Sequence, residues 1–454
     1  MDIFLHNIAP FLGILIILVV IHEFGHFITA KLFGVKVLEF AVGYPPRAFA
    51  VKYGETEYAV NILPLGGYVR LLGEEDPSDP RSLAALAAWK RLVVMGAGAF
   101  MNFVLAIAIF TAAFIIPREV NVGQAVISQV VPGSPAEVAG LKAGDIIQTI
   151  DGRKIESVQD ASYNIRLNLG EDTPITVKRT DPITQQTTDV TVHVTPRWAP
   201  PLYVYDVKEG ETVAEVARAT GYNAATVRQA AGIETELTEG QSLSIQTDSG
   251  VEQYTVQEGD TVSNVSRNLR VPEAAVAAAA GLPDPDKLTA GPLQFTQGAT
   301  GISIGAQYPF TESRSYGFFE AIQRGWRSTF DSLKLARNEI YSWTKGGAAA
   351  PVSGPIGIAQ ATGEVVEEAG WRSLLDMAAL LSINLAILNI LPLPMLDGGR
   401  MAFVVVEILR RGRRIAPDKE ALVHLVGMAA IGILVVVLSY FDIARIVNGE
   451  SLFR

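Results

Sequence analysis

Two histidines four residues apart, His22 and His26, with a glutamate directly after the first, can bind zinc and activate water. They stand in the run His22-Glu23-Phe24-Gly25-His26. At roughly 100° per residue, a helix brings the two imidazoles onto one face, about 40° apart. Glu23 lies beside that face, close enough to take a proton from activated water. The bland account is two polar residues near a helix end that face other helices. The surroundings favour chemistry. Fourteen uncharged residues, Ile8 to Ile21, precede the motif, and an apolar run resumes at Phe24 and continues to Ala30. Ionisable groups inside such a span are costly to keep, which points to a reaction at or within a bilayer.

The elements that must hold this motif are apolar helices. The chain has 454 residues, too many for one ordinary domain, with 49% hydrophobic residues and a mean hydropathy of +0.27. Four spans are readable, at about Ile8–Ala30, Leu92–Ile116, Leu374–Leu391 and Ala421–Ser439. Each is near the ~20 residues that cross a bilayer. The first does not read as a signal peptide, since it lacks a basic leader and carries the metal motif where cleavage would fall. Lys31, Lys36, Arg47, Lys52, Arg70, Arg81, Lys90 and Arg91 lie between the first two spans, and Arg410, Arg411, Arg413, Arg414 and Lys419 between the last two. The positive-inside bias makes both loops cytoplasmic, with both termini and the segment 117–372 outside. The motif then sits in the cytoplasmic half of its span. There is no cysteine, which excludes disulfides and thiolate ligands. The net charge of -10 argues against a nucleic-acid partner.

Catalytic zinc usually takes three protein ligands plus water. The third span ends in Asn389-Ile390-Leu391-Pro392-Leu393-Pro394-Met395-Leu396-Asp397-Gly398-Gly399. Its prolines break the helix, and a new helix can start near Asp397 and run through Ile408. Alone, this Asp-Gly-Gly would read as a helix cap. Beside an embedded His-Glu-His motif that needs an acid, Asp397 is the best candidate, and His424 is the rival. In the first loop, Val35–Val42, Ala48–Tyr53 and Glu57–Ile62 read as strands with Gly54 in a turn, and Pro64 to Tyr68 returns toward the membrane. An exposed strand edge there could pair with an unwound substrate segment, or the sheet could only brace the first span.

These motifs together resemble the site-2 protease family of intramembrane zinc metalloproteases, in particular its bacterial regulator-of-sigma-E protease type. The resemblance covers roughly 1–197 and 298–450. It includes Pro64-Leu65-Gly66-Gly67-Tyr68-Val69, Gly98 with Asn102-Phe103, and Pro351-Val352-Ser353-Gly354-Pro355-Ile356-Gly357. It implies that His22, His26 and Asp397 hold Zn2+ and that Glu23 is the general base. It also implies that Asn389, Pro392 and Pro394, with Gly66, Gly67 and Tyr68 of a membrane-associated β-loop, handle substrate. The implied location is the bacterial cytoplasmic (inner) membrane. Implied partners are the lipid bilayer and a transmembrane protein substrate, either an anti-sigma factor or a signal-peptide remnant. One departure is Ala99, where the family often has proline; it concerns span packing and not the metal set.

The outer part reads as added modules. Residues 121–197, with Val131-Pro132-Gly133-Ser134-Pro135-Ala136 and Gly144-Asp145, look like a PDZ domain, serving as a peptide binder or as a size-exclusion plug. An internal repeat follows. Val207 to Val213 recurs as Val256 to Val262, a shift of 49, and Val216 and Arg218 recur as Val265 and Arg267. Each copy reads strand–helix–helix–strand and looks like a LysM module, at 202–247 and 253–297. Such modules bind peptidoglycan or other N-acetylglucosamine glycan. Here the frequent asparagine at the end of the second helix is replaced by Ala231-Gly232 and Ala280-Gly281, so a spacer role stays open. Residues 202–297 carry 14 acids against 6 bases, which suits a solvated surface on a cassette inserted in a tolerant loop. Ser315–Trp343 reads as an amphipathic helix, with Phe318, Phe319, Ile322, Trp326 and Phe330 on a stripe that meets either the outer membrane surface or the PDZ-like core.

The expected fold is thus a polytopic α-helical membrane protein with four transmembrane helices, a cytoplasmic membrane-associated β-loop and extracytoplasmic α+β domains. Residues 1–120 and 373–454 form the membrane halves, and 298–372 an outer helix and linker. The expected function is a zinc-dependent intramembrane endopeptidase that cleaves single-span membrane proteins. The competing readings are a non-catalytic cell-wall sensor or scaffold and an ion carrier. The completeness of His22, Glu23, His26 and Asp397 favours the enzyme.

Overall fold

The computed structural model describes residues 8–448 other than 75, 221, 223, 234, 236, 248, 249, 258, 259 and 348–352. Pro351 and Val352 of the glycine-proline motif, and Glu258 and Gly259 of the second repeat copy, lie outside the described residues. The chain divides into two units, Met1–Arg118 with Ser313–Ala336 and Ala350–Arg454, and Glu119–Glu312 with Arg337–Ala349.

In the first unit, four helices among the described residues are long and apolar enough to cross a membrane: Ala9–Leu32, Ala88–Ile115, Ser373–Ile390 and Asp418–Val447. The second of these is the hub, packed against the first, the third and the short helix Asp397–Leu409. Small residues let the backbones approach. A Cβ on Gly25 would lie 2.3 Å from the Ala97 carbonyl oxygen, so the first two helices cross in near backbone contact. Farther along, Ala106 and Phe110 bury against Ala379 and Ile383, and the Ser382 hydroxyl donates to the Asn102 carbonyl at 2.8 Å.

The fourth apolar helix runs two turns past the expected end at Ser439. Its extension carries Asp442, which is buried but fully engaged: the N–H groups of Gly354 and Gly357 donate to one carboxylate oxygen at 2.9 and 2.8 Å, and Arg445 donates to the other at 3.0 Å. A charge satisfied this way does not end a span. The same contact caps helix Pro355–Ala369, whose first turn has no side-chain cap of its own.

The loop between the first two spans forms two long strands, Val37–Tyr53 and Thr56–Leu71, rather than three short ones. Each is bent, so Ala41 pairs with Ala59 on one side and Tyr68 on the other. The limbs lie side by side in the order 67–71, 37–42, 57–60, 47–53. Gly54 makes the expected turn at φ 63°. The segment at Pro64–Tyr68, read as returning toward the membrane, continues the second strand.

Helix Phe318–Thr344 matches the expected amphipathic helix. Its small face packs on the second span, where a Cβ on Gly325 would lie 2.9 Å from the Ile107 carbonyl oxygen. The aromatic stripe at Phe318, Phe319, Trp326 and Phe330 is exposed.

The second unit contains a six-stranded sheet, in which Ile302–Arg314, Arg118–Val130, Ile146–Ile150, Thr173–Thr180 and Thr187–Val194 lie in that order and Arg153–Lys154 pairs with the third. Its core holds Ile127, Ile147, Ile150, Ile175 and Val177, with Ile302 and Ile304 packed against them. The domain read as 121–197 therefore takes its outer strand from beyond the repeat, out of the segment assigned to 298–372.

The repeat also departs from its expected division. All strands and helices of both copies form, but the strands pair across copies. Leu202–Val207 pairs with Gly291–Thr296, and Ser242–Thr247 with Gly250–Thr255. One core joins Val207, Val213, Val216 and Val227 to Phe295. The other joins Leu243 and Ile245 to Val262, Val265 and Val276. The boundaries 202–247 and 253–297 are thus not packing boundaries. The reason is covalent: Thr247 and Gly250 are register partners, so the join between copies is too short to separate the neighbouring strands.

Candidate active site

The first helix presents His22 and His26 toward the start of helix Asp397–Leu409. His22 Nε2 lies 3.0 Å from Asp397 Oδ2, His26 Nε2 lies 3.2 Å from the same oxygen, and the two Nε2 atoms are 3.2 Å apart. Tetrahedral zinc with ligands at about 2.0–2.1 Å has ligand atoms roughly 3.3 Å apart. The observed triangle matches that spacing within a few tenths of an ångström, and imidazole with carboxylate is a donor set zinc accepts. Among the described residues this is the group of histidine and acid side chains that could hold a metal ion.

Local sequence explains how three distant residues meet. Gly98 gives the rings their space: a Cβ there would lie 2.5 Å from His26 Nε2 and 2.6 Å from His22 Nε2. Gly398 and Gly399 let the new helix start against the broken one, since Cβ atoms would meet the Leu391 and Leu393 carbonyl oxygens at 2.1 and 2.3 Å. Asp397 thus opens its helix directly after the proline break. The helix start also favours a negative charge there.

The site is supported from behind. His26 Nδ1 faces the Val94 carbonyl oxygen at 2.8 Å, and His22 Nδ1 faces the Asn102 side chain at 3.3 Å. Asn102 carried a motif in the sequence without an assigned task. Its four-residue spacing from Gly98, on one helix face, was the available signal. The Val94 contact is made by backbone and has no sequence signal. His424, the rival ligand, is elsewhere: its Nδ1 accepts from the Met395 N–H at 2.8 Å, holding a residue with φ 79° two positions before Asp397.

The other expected residues divide. Gly67 passes over the motif helix, where a Cβ would be 3.3 Å from Val19 Cγ1 and 3.6 Å from Glu23 Cγ. Gly66 lies against the Tyr44 ring. Tyr68 stacks on Tyr44, and its hydroxyl donates to Glu39 at 3.0 Å. Glu39 is buried and also receives Arg47 and Arg70. Asn389 donates to the Leu385 carbonyl of its own helix at 3.0 Å. Pro394 packs against the fourth span, its Cβ 2.1 Å from where a Cβ on Gly427 would stand.

A compact set of two histidines and an acid, with a carboxylate beside it and apolar spans around it, defines a metal-dependent hydrolase built into a membrane protein. The sequence profile of Peptidase family M50 matches residues 10–434, and the chain belongs to that family. It is 29% identical over 424 residues to a Clostridium perfringens protein provisionally named a zinc metalloprotease, covering 92% of this chain and 93% of that one. It is 27% identical over 459 residues to a similarly named Rhizobium meliloti protein, covering 96% of each. It is 25% identical over 523 residues to the zinc metalloprotease RasP of Oceanobacillus iheyensis, covering 97% of this chain and 99% of that one. The protein is a zinc metalloprotease, and Zn2+ is its metal.

Proposed function

We propose that this chain is an intramembrane endopeptidase that hydrolyses the transmembrane segments of single-span membrane proteins, with His22, His26 and Asp397 holding zinc and Glu23 as general base. One observation carries the proposal. Asp397, 371 residues beyond His26, has one carboxylate oxygen within 3.2 Å of the Nε2 atoms of both motif histidines. Zinc, when bound, supplies the Lewis acidity that makes water nucleophilic near neutral pH and polarises a peptide carbonyl. Glu23 takes the proton from the attacking water and returns it to the leaving amine nitrogen.

A helical substrate must unwind before its carbonyls can be attacked, and unwound backbone in lipid needs new partners. The limb 67–71 pairs on one side with 37–42, and it crosses at Glu23. Its proximity to the base supports clamping of the substrate by strand addition through Gly66 and Gly67. The Tyr68 hydroxyl bonds Glu39 of the same sheet and so holds the ring beside Gly66 and Gly67. Pro392 and Pro394 keep the chain before Asp397 non-helical, and Asn389 lies one turn before that break.

The basic residues between the spans favour a cytoplasmic site, with the second unit extracytoplasmic. There the six-stranded sheet serves as a PDZ-like filter, and the LysM-like pair as a peptidoglycan-binding or spacing cassette. An anti-sigma factor or a signal-peptide remnant fits as substrate. Glu23→Gln tests the core of the proposal: it should keep zinc and lower cleavage of a membrane-embedded reporter by roughly 10²–10⁴-fold. Cleavage at the wild-type rate would refute the assignment. Trapping with this variant in the native membrane should enrich small single-span proteins.

A further inference from the structure

The two motif histidines have different outer partners. His26 turns Nε2 toward the metal cluster and Nδ1 toward the Val94 carbonyl, which only accepts. An imidazole that gives its Nε2 lone pair to a metal carries its proton on Nδ1, so this contact holds His26 in the ligating tautomer. His22 also turns Nε2 toward the cluster, but its Nδ1 meets an amide that can either donate or accept.

Asn102 is completely buried. Its Nδ2 faces His22 Nδ1 at 3.3 Å, and its Oδ1 has no hydrogen-bond partner among the described residues. The arrangement suits one tautomer of His22, with the proton on Nε2 toward Asp397. In the other tautomer, Nδ1–H needs an acceptor, and turning the amide by half a turn supplies Oδ1. Among the described residues, no other side chain hydrogen-bonds that nitrogen. The Ser382 hydroxyl donates to the backbone carbonyl of Asn102, which ties that residue's position to the third span through its backbone alone.

We infer that Asn102 is a positioning residue for zinc, whose side-chain oxygen accepts from His22 Nδ1–H and so holds His22 in the tautomer that ligates through Nε2. This rests on the reading of His22 as a zinc ligand. Helix Ala88–Ile115 then supplies the outer partners of both histidines, one from its backbone and one from its side chain. A buried partner of this kind is typically worth 10–100-fold in metal affinity.

The test is zinc affinity, read by competition with a chelating indicator on the purified full-length chain. Asn102→Leu, similar in size but without an acceptor, should weaken zinc by about 10–100-fold. Asn102→Asp, which only accepts, should fold and hold zinc within about threefold of wild type. A pure packing role predicts the reverse order, because leucine fills the space while aspartate buries a charge. Retained affinity in Asn102→Leu, an equal loss in both variants, or failure of both to fold would overturn the inference. His22→Ala separates the two levels. If it also keeps zinc, the ligand assignment itself has failed. If it loses zinc while Asn102→Leu does not, only the role of Asn102 has.

Discussion

The metal cluster and the inserted repeat use sequence in opposite ways. In the repeat, local signals recur at a constant shift and rebuild the same contacts. Tyr205 donates to Glu211 at 3.0 Å, and Tyr254 to Asp260 at 2.7 Å. Arg218 and Arg267 each donate to the carbonyl four residues back at 3.2 Å. Yet the pairing of the strands is settled by the short join between copies. In the cluster no contact repeats. Gly25 and Gly98 let the first two spans meet closely, Gly398 and Gly399 set the new helix against Leu391 and Leu393, and Asp397 thereby reaches His22 across 375 residues. Local motifs thus build the outer elements and the short join sets how the repeat closes, whereas long-range fit decides the site.

The contrast predicts a ranking of damage. Asp397→Ala should have the largest effect, abolishing both stoichiometric zinc and cleavage, since one oxygen serves both histidines. Metal analysis after gel filtration would measure it. Gly98→Ala comes next: its methyl cannot fit beside the two rings, and overpacking should cost roughly 1–3 kcal/mol with a matching loss of zinc. His424→Leu should cost about 0.5–1.5 kcal/mol by removing the bond to the Met395 N–H, and should lower the thermal midpoint more than the zinc content at saturation. Arg228→Met should have the smallest effect on the enzyme. It removes bonds from the first copy to Glu273 and Asp286 of the second, at 2.5 and 3.2 Å. It should destabilise the cassette by about 1–3 kcal/mol and leave zinc unchanged. Removing 202–297 altogether should likewise spare zinc; loss of metal on that deletion would break the contrast.

Much of this was legible in the sequence. The length of four apolar runs located the spans, and the proline break with Asp397 located the third member of the cluster. The limits had physical causes. The fourth span outran its apolar core because Asp442 finds amide donors on a distant segment. The cross-copy pairing and the outer strand at Ile302–Arg314 depend on partners that periodicity does not name. Tyr68 matched a motif, but its hydroxyl is committed to Glu39. His424 looked like a spare ligand and proved to be a brace for Met395.

The central claim is that His22, His26 and Asp397 form one metal site with Glu23 as its base. The most direct measurement is zinc content alongside cleavage of an embedded single-span reporter, for the wild type, Asp397→Ala and Glu23→Gln. The account predicts one zinc per chain with cleavage in the wild type, neither in Asp397→Ala, and zinc without cleavage in Glu23→Gln. Full zinc in Asp397→Ala, or wild-type cleavage in Glu23→Gln, would contradict it.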